Sequence, residues 1–170
     1  NPEMTRLIET CLEQGYRVLV LTNAMRPMQR SAVANHLKLL NQAFGSQLTI
    51  RVSLDHYTSN LHEKERGFGS WRPTIEGLKW LSAHGVKVTV AGRTCWGEAL
   101  ADARDGYAEL FQKYAVPIDA NDPAQLILFP EMGTDKDVPE ITTECWSILN
   151  QSPSALMCSS SRMVVKRKGA

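Results

Sequence analysis

At 170 residues, with 43% hydrophobic and 22% charged content, the chain is long enough to bury one core and has the balance of a folded domain. Its formal charge of +1 lacks the basic excess that nucleic acids or anionic lipid surfaces select, so neither is expected as a partner. No run approaches the roughly 20 apolar residues of a membrane span and no signal-peptide pattern is present, so the expected location is cytoplasmic.

Leu7, Ile8, Cys11 and Leu12 recur at helical spacing before Gly15, which predicts an opening helix. The run from Arg17 to Leu21 predicts a strand buried on both sides, ending in Thr22 and Asn23. After Pro27, the spacing of Val33, Leu37, Leu40 and Phe44 predicts a second helix closed by Gly45, and Leu48 to Leu54 a second strand ending in Ser53, Asp55 and His56. Pro73, as a first helical residue, opens a third helix with Ile75, Leu78 and Leu81 on its inner face. Val86 to Val90 form the next strand, which runs into Gly92, Arg93 and Thr94. A helix from about Glu98 to Tyr114 and a short strand from Leu126 to Phe129 come next. Beyond Pro130 the pattern weakens to a helix from Glu140 to Leu149 and a strand region from Ala155 to Val165, broken by Ser159, Ser160 and Ser161.

Strand starts recur about every thirty to forty residues with a helix between, which is the crossover that parallel strands require. The expected fold class is therefore α/β, with parallel strands and outer helices in either a barrel or an open doubly wound sheet; of the two, the expectation is a partial (β/α) barrel over residues 1–150, with 151–170 starting a C-terminal extension. Both ends of the chain read as cuts through a longer protein. In such folds chemistry gathers at the carboxyl ends of the strands. That position singles out Thr22, Asn23, Ser53, Asp55, His56, Arg93 and Thr94.

Phosphate-loop and dinucleotide glycine signatures are absent, as is a His-Glu-x-x-His zinc helix. The stretch Arg66, Gly67, Phe68, Gly69, Ser70 is expected as a loop after the second strand. The four cysteines, Cys11, Cys95, Cys145 and Cys158, are too scattered for a zinc or redox pair, and Cys11 and Cys145 are expected to act as small hydrophobes. Trp71, Trp80, Trp96 and Trp146 are expected to pack in the core or between helices.

Three stretches together resemble one family. Arg51-Val52-Ser53-Leu54-Asp55-His56, then His62-Glu63-Lys64-Glu65-Arg66-Gly67-Phe68-Gly69-Ser70-Trp71, then the helix of Ile75 to Leu81 with the strand from Val86, look like the middle of radical S-adenosylmethionine enzymes. That family has Ser-Leu-Asp-Gly at a strand end, then His-Asp-x-x-Arg and a Gly-x-Gly-Ser/Thr-Phe loop. Here His56 stands for the glycine and Trp71 for the phenylalanine. Leu21-Thr22-Asn23-Ala24 is similar to the Thr-Asn-Gly one unit earlier, and Asn1-Pro2-Glu3-Met4 resembles the residues just after the family's Gly-Gly-Glu-Pro motif. The resemblance covers residues 1 to about 130.

The resemblance implies an oxidoreductase-type core that cleaves S-adenosylmethionine reductively and abstracts a hydrogen from an unidentified substrate. It implies a TIM-barrel-like fold, an electron donor as partner, and a [4Fe–4S] cluster. The family's Cys-x-x-x-Cys-x-x-Cys loop is absent from this chain, so its ligands are expected upstream of Asn1 and the chain by itself is expected to be inactive. By the same resemblance, Ser53 and Arg66 would contact the carboxylate of S-adenosylmethionine. Asp55 and Asn23 would take its ribose hydroxyls or hold the loops around them, and Arg93 would assist the carboxylate or meet the substrate. Cys158 resembles the entrance to the cysteine-rich extension of many members, as an auxiliary cluster ligand. Two other readings remain open: a cluster-independent barrel hydrolase or aldolase using Asp55, His56 and Arg93, and a non-catalytic binding or scaffold module.

Overall fold

Four short runs rich in Val, Leu and Ile pair side by side in the order in which they occur in the chain. They are β1 (Val18–Thr22), β2 (Leu48–Ser53), β3 (Lys87–Arg93) and β4 (Leu126–Phe129), all parallel. The computed structural model describes residues 3–130, 144–148 and 152–155. Helices α1 (Met4–Glu13), α2 (Arg26–Gln29), α3 (Ser31–Phe44), α4 (Ser59–Arg66), α5 (Trp71–Ala83) and α6 (Leu100–Lys113) precede or connect the strands. The result is an α/β unit spanning Asn1–Glu131.

Along β2, buried Leu48, Ile50 and Val52 alternate with half-buried Thr49, Arg51 and Ser53, the period of two of a sheet with unlike faces. The buried face meets Leu12, Leu37, Leu40, Leu78, Leu81, Tyr107 and Phe111 from the helices, and this is the core. Right-handed crossovers between strands that succeed one another in a single direction carry every helix to the same face. Hence the expectation that the first strand is buried on both sides is corrected: Leu19 and Leu21 are 38% and 68% exposed on the opposite face. Register sets Leu21, Arg51 and Thr89 in one row across that face, and the Arg51 Nε donates to Thr89 Oγ1 at 3.3 Å. Among the described residues, β1 and β4 are the two edges of the sheet.

Several boundaries move for physical reasons. Leu7 is 46% exposed, so the inner stripe of α1 is Ile8 and Leu12. α5 starts at Trp71 rather than Pro73, because the first four N–H groups of a helix have no internal partner and a proline there removes no bond. Arg66, expected within a loop, instead ends α4, a helix not anticipated from the sequence, whose single buried residue is His62. Polar on nearly every side, this helix offers no apolar period to read.

The remaining residues, Met132–Ala170, form a second compact unit, in which α7 (Cys145–Ile148) and a turn at Pro153–Ala155 are described. The rest of the expected Glu140 to Leu149 helix, Cys158, and the expected strand beyond Ala155 lie outside the described residues. Among the described residues no helix is long and apolar enough to cross a membrane.

Candidate functional site

The carboxyl ends of β1, β2 and β3 are neighbours in the sheet, so the loops that leave them converge. Asn23 and Met25 after β1, Asp55 after β2, Glu65 and Arg66 at the end of α4, and Arg93 at the end of β3 line one open cleft of about 270 Å³. Four of the residues singled out from the sequence, Asn23, Asp55, Arg66 and Arg93, are thus brought together. Ser53 is not among the residues lining this cleft. It ends β2 beside Ala91, half-buried on the sheet face that carries Arg51.

Asp55 is the pivot. Its carboxylate, 4% exposed, accepts from Arg66 Nε at 2.7 Å and Nη2 at 2.9 Å, the bidentate geometry that suits a guanidinium. Arg93 Nε lies 3.8 Å from the second oxygen, and Arg93 Nη1 lies 3.5 Å from Glu65 Oε2. The backbone of Asp55 is tied as well, its carbonyl accepting from Arg93 N–H at 2.9 Å and its N–H donating to His62 Nδ1 at 3.2 Å. The resemblance implies that Arg66 faces a ligand carboxylate, yet here two of its nitrogens are on Asp55. Its side chain is 31% exposed and lines the cleft.

On the β1 side, Thr22 Oγ1 accepts from Ala24 N–H and Asn23 Oδ1 accepts from Met25 N–H, two local turns that reverse the chain after the strand. Thr74 Oγ1 donates to the Asn23 carbonyl at 3.1 Å, and Gln29 Nε2 donates to the carbonyls of Ala24 and Pro73 at 2.8 and 2.7 Å. Ala24, fully buried, adopts φ 54°, in the left-handed region that favours glycine. α5 comes so close at this point that Gly77 has no room for a side chain.

Behind the cleft, Glu98 fastens the β2 loop to the β3 loop. One of its oxygens accepts from His56 Nε2 at 3.0 Å and the other from the Tyr57 hydroxyl at 2.9 Å. Tyr57 stacks on the His56 ring at 4.0 Å, and Trp96 meets that ring edge-on at 4.7 Å. Burial pushes the His56 pKa down, against the opposing pull of Glu98, whereas the hydrogen bond to Glu98 and burial raise that of Tyr57. Fully inside, the Tyr107 hydroxyl donates to the Leu54 carbonyl at 2.7 Å, and burial raises its pKa well above 10.

Removing that hydroxyl strands the buried Leu54 carbonyl. Tyr107→Phe is expected to destabilise by about 1–3 kcal/mol in urea denaturation, at unchanged slope. Because the pKa of Tyr107 is raised on folding, its contribution is complete below pH ~10 and is lost as pH rises past that value.

The cleft is therefore lined by two cations, two carboxylates and an amide. A balanced set of this kind suits a small zwitterion better than an anion or a cation alone. Sequence reasoning missed Glu65, Met25 and Glu98. Glu65 precedes Arg66 in a helix that has no apolar signature, and Glu98 acts only across a loop. His62 stands within a recognisable motif, but nothing in the sequence signals its burial.

Among the described residues no group of three or more His, Cys, Asp or Glu is placed to hold a metal ion, and Cys11 and Cys95 lie on separate elements, in α1 and beyond β3. Comparison with known proteins adds nothing to the geometry: no protein-family model, no curated protein and no solved structure matches the chain.

Proposed function

We propose that this chain is the core of a radical S-adenosylmethionine enzyme and that the cleft between Asn23, Asp55, Glu65, Arg66 and Arg93 receives the amino-acid end of S-adenosylmethionine. The observation that carries the reading is the balanced charge of that cleft at the carboxyl ends of three adjacent parallel strands. A methionine moiety presents one carboxylate and one ammonium. Arg93 and Arg66 suit the carboxylate, and Glu65 suits the ammonium. Ser53 and Asn23 offer neutral hydrogen-bonding groups, Asn23 at the rim and Ser53 one step below on the open sheet face.

The sheet fits the same reading. Four parallel strands in chain order with helices on one face make an arc of a (β/α) barrel, whose open face would line the lumen. The iron–sulfur cluster that the resemblance implies has no ligand set among the described residues. Reductive cleavage of S-adenosylmethionine with hydrogen abstraction, a cytoplasmic setting and an electron donor belong to the proposal through the resemblance alone. The described residues contribute binding and orientation.

Calorimetric titration of the chain with S-adenosylmethionine, S-adenosylhomocysteine and methionine tests the assignment. All three share the amino-acid end and are expected to compete for one site. Arg93→Ala removes one charge-assisted contact and is expected to weaken binding roughly 10–100-fold. Absence of binding by all three, or affinity unchanged in both Arg93→Ala and Ser53→Ala, overturns the cleft as the ligand site.

A further inference from the structure

The loop that carries Asp55 is fastened by two histidines that act as acceptors. Asp55 N–H donates to His62 Nδ1 at 3.2 Å, and Thr58 N–H donates to His56 Nδ1 at 2.9 Å, with Thr58 Oγ1 at 2.8 Å from the same nitrogen. A backbone N–H can only donate, so both Nδ1 atoms are unprotonated and each ring carries its proton on Nε2. For His56 that proton points to Glu98 Oε1 at 3.0 Å. For His62 the Nε2 is buried with no hydrogen-bond partner, its ring edge-on to Trp71 at 5.6 Å. Neither side chain reaches water, the residues being 2% and 0% exposed.

We infer that His56 and His62 form a proton-sensitive latch on the segment from Leu54 to Thr58, positioning residues that present Asp55, and through it Arg66, to the cleft only while both rings are neutral. Protonation of an Nδ1 turns an acceptor into a donor facing another donor, and the loop loses that anchor. The surroundings set the direction. His56 faces Glu98 from the loop after β3, Tyr57 from its own loop and the Trp96 ring. His62 faces Asp55 from the β2 loop, Glu63 and Arg66 of α4, Trp71 of α5, and His56 itself. Glu98, Asp55 and Glu63 favour the charged rings and Arg66 opposes them. Burial outweighs them all and lowers both pKa values. A lowered histidine pKa contributes stability that is present above pH ~6.5 and is lost as pH falls through the value in the folded chain. The latch is therefore closed at neutral pH and opens in acid.

The inference rests on the geometry of the loop, and on the zwitterion reading only in giving Asp55 a task. Its test uses no ligand, so failure of one leaves the other standing. Long-range ¹H–¹⁵N spectra of the intact chain at pH 7.5 are expected to show Nε2–H tautomers at both histidines. Hydrogen-exchange protection of the Asp55 and Thr58 amides is expected to fall by about tenfold per pH unit once the rings begin to protonate, before the β2 amides lose theirs. His62→Asn, whose Oδ1 replaces Nδ1 as an acceptor that cannot titrate, is expected to keep Asp55 protected at neutral pH and to diminish its acid step, while Thr58, held by the still titratable His56, keeps its own. An Nδ1–H tautomer at neutral pH, protection of Asp55 unaltered until global acid unfolding, or an undiminished acid step in His62→Asn would each overturn the latch.

Discussion

Gly77→Ala is expected to destabilise the fold by about 3 kcal/mol. A methyl group at this position of α5 would lie on the carbonyl oxygen of Ala24, too close for any contact. Nothing nearby yields easily. Ala24 is fully buried, its carbonyl is held by Gln29, and the preceding carbonyl is held by Thr74 of α5 itself. Helix propensity works the other way, since alanine is favoured over glycine by roughly 1 kcal/mol in a helix interior, so the observed loss is a net figure. Urea denaturation measures it, and a loss below about 1 kcal/mol would mean that α5 can draw back from the β1 loop at little cost. Because Asn23 and Met25 flank Ala24, the same substitution is expected to disturb the cleft.

Arg66→Met is expected to cost more stability than Asp55→Asn, although both break the same ion pair. The asymmetry comes from burial: the Asp55 side chain is 4% exposed and that of Arg66 31%. Without Arg66, a carboxylate stays inside with only Arg93 Nε at 3.8 Å to offset its lost hydration, which costs about 3–5 kcal/mol. Without the Asp55 charge, a neutral amide of the same shape remains, and the guanidinium turns toward water. That change costs about 1–2 kcal/mol. Parallel denaturation of the two variants decides the matter, and the reverse order would mean that Arg93 already suffices to hold Asp55.

How far the fold is legible in the sequence varies with the physical signal each element leaves. The inner stripe of α5, Ile75, Leu78 and Leu81, is buried as its period of 3.6 requires. All four strands lie within a few residues of where the apolar runs place them. α4 leaves no such trace, because His62 alone among its eight residues is fully buried. The exposed face of β1 is also illegible: Leu19 and Leu21 are apolar, and residue type does not reveal that a sheet wound in one direction is covered by helices on one side only. Ala24 shows the same limit, a residue whose identity argues against a left-handed conformation and which adopts it because Thr22, Gln29 and the close approach of Gly77 fix the turn.

For the candidate site, polar strand ends place Asn23, Asp55 and Arg93 together, since parallel strands all point their carboxyl ends the same way. By itself, then, the chain's pattern of apolar runs and breakers determined an alternating α/β unit and the edge of the sheet at which its polar residues gather. Only the tertiary structure decided that Arg66 grips Asp55, that Glu98 reaches His56 across two loops, and that His62 is sealed against the Asp55 backbone. Those contacts depend on distances between elements far apart in sequence, which local periodicity does not encode.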